Sequence, residues 1–314
     1  MTEMPTNRSE GESPSAAEPR CGFIALLGAP NAGKSTLLNR LVGAKVSIVS
    51  PKVQTTRSRV LGIGIAGPAQ LIFIDTPGIF APRRRLDRAM VQAAWRGAGD
   101  ADLVVLLVDA SRRAIDPDTA RIIAGLRDVG RKAILALNKV DLIKREKLLA
   151  LAGQFDAEGI FTDIFMISAE NGDGVEDLRN ALAARVPPGP WHFPEDQLSD
   201  MPSRLLAAEI TREHLFRQLH QELPYALTVE SETWEDFKDG SVKLQQVIFV
   251  QRDNQKAIVL GKNGQRIKAV RAAAQAELEE MLGRRVHLFL YVKVREKWLE
   301  DPARFREMGL DYDV

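Results

Sequence analysis

Short apolar runs alternate with amphipathic stretches through the first part of the chain. Phe23 to Leu27, Leu71 to Ile74, Leu103 to Val108, Ala133 to Leu137 and Ile164 to Ile167 are almost unbroken runs of Val, Ile, Leu, Ala, Phe and Met. Runs of this kind predict strands buried on both faces, with crossover helices in the intervening segments. The alternation predicts an α/β domain whose mostly parallel sheet binds ligands at the carboxyl ends of its strands. From Val186-Pro187-Pro188-Gly189-Pro190 to Pro202 the composition turns to proline, aspartate and serine, which marks a linker. A second, smaller α+β domain follows. It reads as a helix from Pro202 to Leu219, strands from Tyr225 to Glu230 and Val242 to Val250, helices from Gln255 to Leu260 and Gln265 to Met281, and a last strand. In that strand Val286, Leu288, Leu290, Val292 and Val294 alternate with His287, Phe289, Tyr291, Lys293 and Arg295. Residues 1–20 have almost no large apolar groups and are expected to form a disordered tail. The expected organisation is a tail at 1–20, a first domain at 21–186, a linker at 187–201 and a second domain at 202–314.

Chemistry enters where the first run ends. Gly28-Ala29-Pro30-Asn31-Ala32-Gly33-Lys34-Ser35 fits the phosphate-loop pattern, between the strand Phe23 to Leu27 and a helical segment that starts at Thr36. Its glycines let the backbone curl so that several N–H groups meet phosphate oxygens. The helix N-terminus adds positive potential, Lys34 adds a full charge, and Ser35 offers a hydroxyl to Mg2+. Asp75-Thr76-Pro77-Gly78 ends the run Leu71 to Ile74, which sets a carboxylate where it can hold the same metal, while the Gly78 N–H can donate to a γ-phosphate.

The base is addressed by the later strand ends. Asn138-Lys139-Val140-Asp141 follows Ala133 to Leu137, and the Asp141 carboxylate can accept from guanine N1 and N2, donors that adenine lacks. Ser168-Ala169-Glu170, after Ile164 to Ile167, can supply a backbone N–H to the guanine oxygen. The motifs, each at a strand end and in this order, point to GTP and GDP.

Composition narrows the classes. The chain of 314 residues is 45% apolar and 27% charged, enough for two domains with real cores. It has no apolar run long enough to span a bilayer and no apolar secretory centre near its start, so a cytoplasmic address is expected. Cys21 is the only cysteine, which excludes internal disulfides and cysteine metal cages; the four histidines show no ligand spacing. A net charge of +1 is uninformative for nucleic acid.

Residues 22–185 resemble the G domain of the translation-factor-related GTPases, and the chain as a whole resembles the Era-type bacterial GTPases, with a P-loop GTPase domain followed by a type II KH domain. The resemblance implies that Gln54-Thr55-Thr56-Arg57 is switch I, with Thr56 closing on magnesium when GTP is bound. It makes Lys34, Thr56, Gly78 and Asn31 the catalytic candidates and Ser35, Thr56 and Asp75 the metal ligands. Gly28, Ala29, Pro30, Ala32, Gly33, Thr36, Thr76, Pro77, Asn138, Lys139, Asp141, Ser168, Ala169 and Glu170 complete the GTP site. Ras-like GTPases carry a water-orienting glutamine where this chain has Ile79, an apolar residue that cannot orient water. The resemblance therefore implies a glutamine-independent mechanism in which Asn31 helps to hold K+ near the phosphates. Arg83, Arg84 and Arg85 read as a solvated basic turn.

From Met201 onward 18 Lys plus Arg balance 18 Asp plus Glu, but their distribution is uneven. No acid occurs between Asp253 and Glu277, while Lys256, Lys262, Arg266, Lys268 and Arg271 surround Gly261-Lys262-Asn263-Gly264. Two glycines between helices let the backbone approach a sugar-phosphate chain, with a helix N-terminus behind it. With Arg266, Lys268 and Arg271 this loop is the candidate RNA site. About three phosphate contacts to a single strand predict a salt slope near −2. The residues themselves indicate single-stranded nucleic acid. The resemblance implies the 3′ end of small-subunit ribosomal RNA, a role in 30S assembly, a monomer and peripheral association with the inner face of the membrane. Two other readings stand beside it: a P-loop ATPase or kinase, and an RNA-binding assembly protein that nucleotide merely stabilises.

Overall fold

The computed structural model of the chain describes residues 18–314 apart from Pro51, Val53, Gln54, Ser58, Arg113, residues 220–222 and Lys297. The tail expected at 1–20 and Gln54 of the expected switch therefore fall wholly or largely outside the described residues.

Each apolar run forms a strand of one six-stranded sheet, in the order β2-β3-β1-β4-β5-β6. These are β1 (Arg20–Gly28), β2 (Val60–Ala66), β3 (Ala69–Asp75), β4 (Leu103–Asp109), β5 (Ala133–Asn138) and β6 (Phe161–Met166). All neighbours are parallel except β2 and β3, which run antiparallel through the turn at Gly67 and Pro68. The helices are α1 (Lys34–Val42), α2 (Arg85–Asp100), α3 (Pro117–Asp128), α4 (Arg145–Asp156) and α5 (Val175–Arg185). Alternate residues of β1 face opposite cores. Ile24 and Leu26 pack with Leu37 and Leu38 of α1, whereas Ala25 and Leu27 pack with Ile72, Ile74 and Leu106 on the other side. Fully burying one such leucine or isoleucine contributes about 1.5–3 kcal/mol, so both faces hold β1 in place.

Strand β2 carries Gly62 and Gly64, which break its apolar pattern. A Cβ on Gly62 would stand 2.5 Å from Leu38 Cδ1, so the glycine is what lets α1 lie against this strand. Register aligns the strand ends: Leu26 pairs with Asp75, Gly28 with Leu107, and Asp109 with Asn138. The order reverses at β1, which leaves a crevice at its carboxyl end.

Residues 187–201 lie along the first sheet. Gln70 holds them by donating to the Phe193 carbonyl at 2.8 Å and accepting from the backbone N–H groups of His192 and Phe193. Ser199 donates to the Leu61 carbonyl at 2.7 Å. Beyond them, α6 (Ser203–Gln218), β7 (Leu227–Asp236), β8 (Val242–Val250), α7 (Asp253–Leu260), α8 (Gln265–Leu282) and β9 (Val286–Val294) build an α+β unit whose sheet order is β7-β8-β9. Strand β9 is parallel to β8, and its Val286, Leu288 and Val292 face a core shared with α6 and α8.

The two units touch at several places, among them Lys52, Thr55 and Arg57, which meet α6 and the residues before β7. Lys45, just after α1, bridges Glu213 of α6 and Glu277 of α8. His214 hydrogen-bonds the same Glu277 and, with Lys45, holds its carboxyl at about 2. The chain end then returns to the first unit: Phe305 of α9 (Pro302–Glu307) and Leu310 pack against Leu86, Ala89 and Met90 of α2. No helix among the described residues is long and apolar enough to cross a membrane.

Candidate functional site

The crevice at the end of β1 is built on backbone constraints that the loop sequence meets. Gly28 leaves no room for a side chain, since a Cβ would lie 2.5 Å from the Leu107 carbonyl oxygen. Gly33 has φ +100, a region costly for side chains, and a Cβ there would strike Asn138 Nδ2 at 2.3 Å. Asn31 adopts φ 64, and asparagine tolerates this left-handed geometry better than most residues. The loop thereby curls over the first turn of α1, with Ala29 and Ala32 buried beneath it.

Lys34 crosses this loop and donates to the carbonyls of Gly28 and Ala29, both at 3.2 Å. It is only 7% exposed, and burial pushes its ammonium down to about 8, offset in part by Asp75. An incoming phosphate would restore the charge that the protein interior disfavours.

Asp75 is fully buried at the end of β3. Its Oδ2 accepts from Ser35 at 2.8 Å, Ser47 at 2.9 Å and Thr56 at 3.3 Å, and the Ser35 and Thr56 hydroxyls are 3.0 Å apart. Its Oδ1 has no hydrogen-bond partner, and burial pushes the carboxyl upward against the pull of Lys34 and the three hydroxyls. A buried carboxylate with one oxygen left without a donor and hydroxyls gathered at the other fits a hard divalent cation that prefers oxygen ligands. Of the two switch threonines, Thr56 reaches this cluster, whereas the Thr55 hydroxyl donates to the Lys52 carbonyl at 2.8 Å.

Pro30, Asn31, Gly33, Lys34, Ser35, Thr36, Thr56, Thr76 and Gly78 line a single cleft. Gly78 lies so close to Pro30 that a Cβ would stand 2.9 Å from its nitrogen. The Thr76 hydroxyl donates to the Leu26 carbonyl at 2.9 Å, which leaves it facing the strand, and Pro77 is buried beside it. Ile79 is fully buried in the core below, so its side chain has no access to water in the cleft.

Asn138 links two loops: its Nδ2 donates to the Ala32 carbonyl at 2.8 Å and its Oδ1 accepts from Ala169 N–H at 2.9 Å. Lys139, at φ 65, donates to Asp109 at 2.7 Å. Asp141 is exposed in the short turn Val140–Leu142. Ser168 is buried, its carbonyl accepting from Gly172 N–H at 2.8 Å, and Glu170 is exposed. Ser47 and Asp109 escape a motif-based reading, because neither belongs to a contiguous signature; only a hydroxyl or carboxylate at a loop or strand end marks them.

In the second unit Gly261 and Gly264 have φ +73, and Asn263 between them has φ 51. A Cβ on Gly261 would lie 2.7 Å from Arg266 Cβ, so this turn, too, requires glycine. Lys262, Asn263, Lys268 and Arg271 are exposed, while Arg266 is half-buried and donates to the Ile258 carbonyl at the end of α7. Beside them Ile258 is 48% exposed, whereas Val259 is buried in the core. Trp298 is buried and donates to the Ala226 carbonyl at 3.1 Å. Among the described residues no group of three or more His, Cys, Asp and Glu is placed to hold a metal.

Comparison with known proteins agrees with this architecture. Residues 23–139 match the family model described as 50S ribosome-binding GTPase, and residues 222–299 match the KH domain model. The chain is 60% identical over 309 residues to GTPase Era of Sinorhizobium medicae, covering 98% of this chain and 99% of that protein. It is 60% identical over 312 residues to GTPase Era of Agrobacterium fabrum, covering 99% and 98%. Among solved structures, a single-residue variant of Aquifex aeolicus Era bound to GDP·AlF4− matches with a TM-score of 0.87 at 37% identity, covering 92% of this chain and 99% of that one. Era in complex with MgGDPNP and nucleotides 1506–1542 of 16S ribosomal RNA matches with a TM-score of 0.88 at 37% identity, covering 93% and 99%.

Proposed function

The chain belongs to the GTPase Era family and is a GTPase with an RNA-binding KH domain, and from that premise we propose that its two sites form one nucleotide-controlled RNA-binding switch. The observation that carries the first half is the meeting of Lys34, Ser35, Thr56 and Asp75 at one strand end. The phosphate loop holds the phosphates, and the exposed Asp141 carboxylate reads guanine with the backbone of Ser168 to Glu170 beside it. Ser35, Thr56 and Asp75 hold Mg2+, which when bound neutralises charge that builds up on the phosphates. Thr56 connects that site to switch I, and Gly78 offers its N–H to the γ-phosphate. Asn31 would help to hold K+, whose positive charge near the β–γ bridge would stabilise the charge that develops in the transition state; hydrolysis much faster in KCl than in NaCl supports this, and equal rates refute it.

The KH domain binds single-stranded RNA through Gly261, Lys262, Asn263 and Gly264, with Arg266, Lys268 and Arg271 around them. Since a close structural relative was solved with the 16S ribosomal RNA 3′ end, the proposed target is that same segment, and the proposed role is small-subunit maturation by a cytoplasmic monomer. Cell fractionation tests the address, with recovery in the membrane fraction favouring peripheral association. The main test is binding of a 16S 3′-end fragment with a non-hydrolysable GTP analogue, with GDP and with no nucleotide. Tighter binding in the GTP-like state supports the switch; equal binding in all three overturns it.

A further inference from the structure

Switch I is gripped from the side away from the nucleotide. Arg57 follows Thr56 directly, and although it belongs to the first unit it is only 4% exposed, because its guanidinium sits inside the second. Nη1 donates to the Leu227 carbonyl at 2.7 Å, and Nη2 donates to the carbonyls of Pro224 at 3.2 Å and Tyr225 at 3.3 Å. The rings of Phe216 and Trp298 lie 5.8 Å from its centre, within cation–π range. The neighbouring residues are held too: Arg212 of α6 donates to the Thr55 carbonyl, and Lys52 donates to the Phe216 and Leu219 carbonyls where α6 ends.

We propose that Arg57 is a positioning residue for GTP hydrolysis: the second domain's carbonyl seat for its guanidinium sets the adjacent Thr56 hydroxyl at Ser35 and Asp75. The inference rests on the reading of Thr56 given above. Consecutive Cα atoms are about 3.8 Å apart, so while the guanidinium is seated on the three carbonyls the Arg57 backbone stays within the side chain's reach of the seat, and Thr56 beside it is confined with it. Removing a buried cation from three carbonyls, or leaving the carbonyls without it, is unfavourable, which makes the seat an in-or-out arrangement rather than a graded one. By linkage, a ligand that draws Thr56 inward tightens the seat, and a change in the second domain that loosens the seat weakens the metal site.

The test uses the full chain. Arg57→Ala is expected to lower kcat at least tenfold and to raise the Mg2+ concentration needed for half-maximal hydrolysis, with GDP affinity held within about threefold. Arg57→Lys, which keeps the cation but not the fork, is expected to recover part of kcat. A merely structural role would lower GDP binding alongside kcat and leave the Mg2+ requirement unchanged. Wild-type turnover and Mg2+ requirement in Arg57→Ala, together with loss of turnover in Thr56→Ala, overturns the inference and leaves the site reading intact. Failure of the wild type to hydrolyse GTP overturns both. Should Arg57→Ala fail to fold, hydrogen exchange on the wild type decides: the amides of Leu223, Tyr225, Ala226 and Leu227 are expected to exchange at least tenfold more slowly with Mg2+ and a GTP analogue than with GDP, and equal protection refutes the seat.

Discussion

The two glycine loops proposed to meet phosphate set their charges in opposite dielectric settings. At Gly28 to Ser35 the charged partners are inside the protein: Lys34 and Asp75 are buried, and the hydroxyls of Ser35, Ser47 and Thr56 are already spent on the carboxylate. At Gly261 to Gly264 the cations are outside, with Lys262, Lys268 and Arg271 exposed. Both loops use left-handed backbone to bring N–H groups to a surface. The buried version gives strength and discrimination, because unmatched groups inside a protein cannot be rescued by water. The exposed version gives a screened attraction that tolerates many sequences and responds to salt.

The sharpest break of this contrast is at the base. Asp141→Asn replaces an acceptor for two guanine donors by an amide, and GTP affinity should fall by about 3 kcal/mol or more, on the order of a hundredfold, by titration calorimetry. ATP competing with GTP at similar affinity in the wild type would remove the guanine assignment. Salt separates the two loops next. Between 50 and 200 mM KCl, a slope near −2 predicts roughly a fifteenfold loss of affinity for a single-stranded 16S fragment, while GTP affinity at constant Mg2+ should change much less. A slope near zero would mean that the exposed cations do not meet phosphates.

A pH titration addresses the buried loop. With Lys34 held down to about 8 in the free protein, the ammonium is present below that pH. Above it, nucleotide must bring a proton with it. GTP affinity should therefore be flat below pH 8 and fall by up to about tenfold per pH unit above it, until the pKa of the bound form is passed. The smallest effect is expected at Lys262→Ala, a few-fold loss of RNA affinity with a salt slope shallower by about 0.7. Its hydrolysis of GTP should stay unchanged without RNA.

Strands β1, β3 and β5 were legible in the apolar runs, because a strand buried on both faces leaves few alternatives for a stretch of Val, Ile and Leu; β6 was found by its run too, but as the edge strand it is only partly buried, not buried on both faces as expected. Strand β2 was not among them. Its Gly62 and Gly64 dilute the pattern, and the reason for Gly62 is Leu38, a contact made across the fold. The expected linker at 187–201 is a similar case: its prolines and aspartates mark a break in helix, yet Gln70 and Leu61 bind it to the first sheet. In the second unit the helix and strand order followed from periodicity, while the burial of Trp298 and the docking of Phe305 on α2 depend on where the chain end returns.

The chemistry that fits in a few consecutive residues is written in the chain directly: the phosphate loop, the carboxylates at strand ends, the glycine turn with its cations, and the apolar spacing that carries them. Local backbone geometry fixes those features, so they are written locally. Which distant groups complete them depends on the fold. Ser47 joins Asp75 across 28 residues, Asn138 holds Ala32 across 106, and Arg57 finds the Leu227 carbonyl across 170. No period or motif encodes such pairs, because the polar groups involved have no preference for one another until burial removes water as their alternative partner.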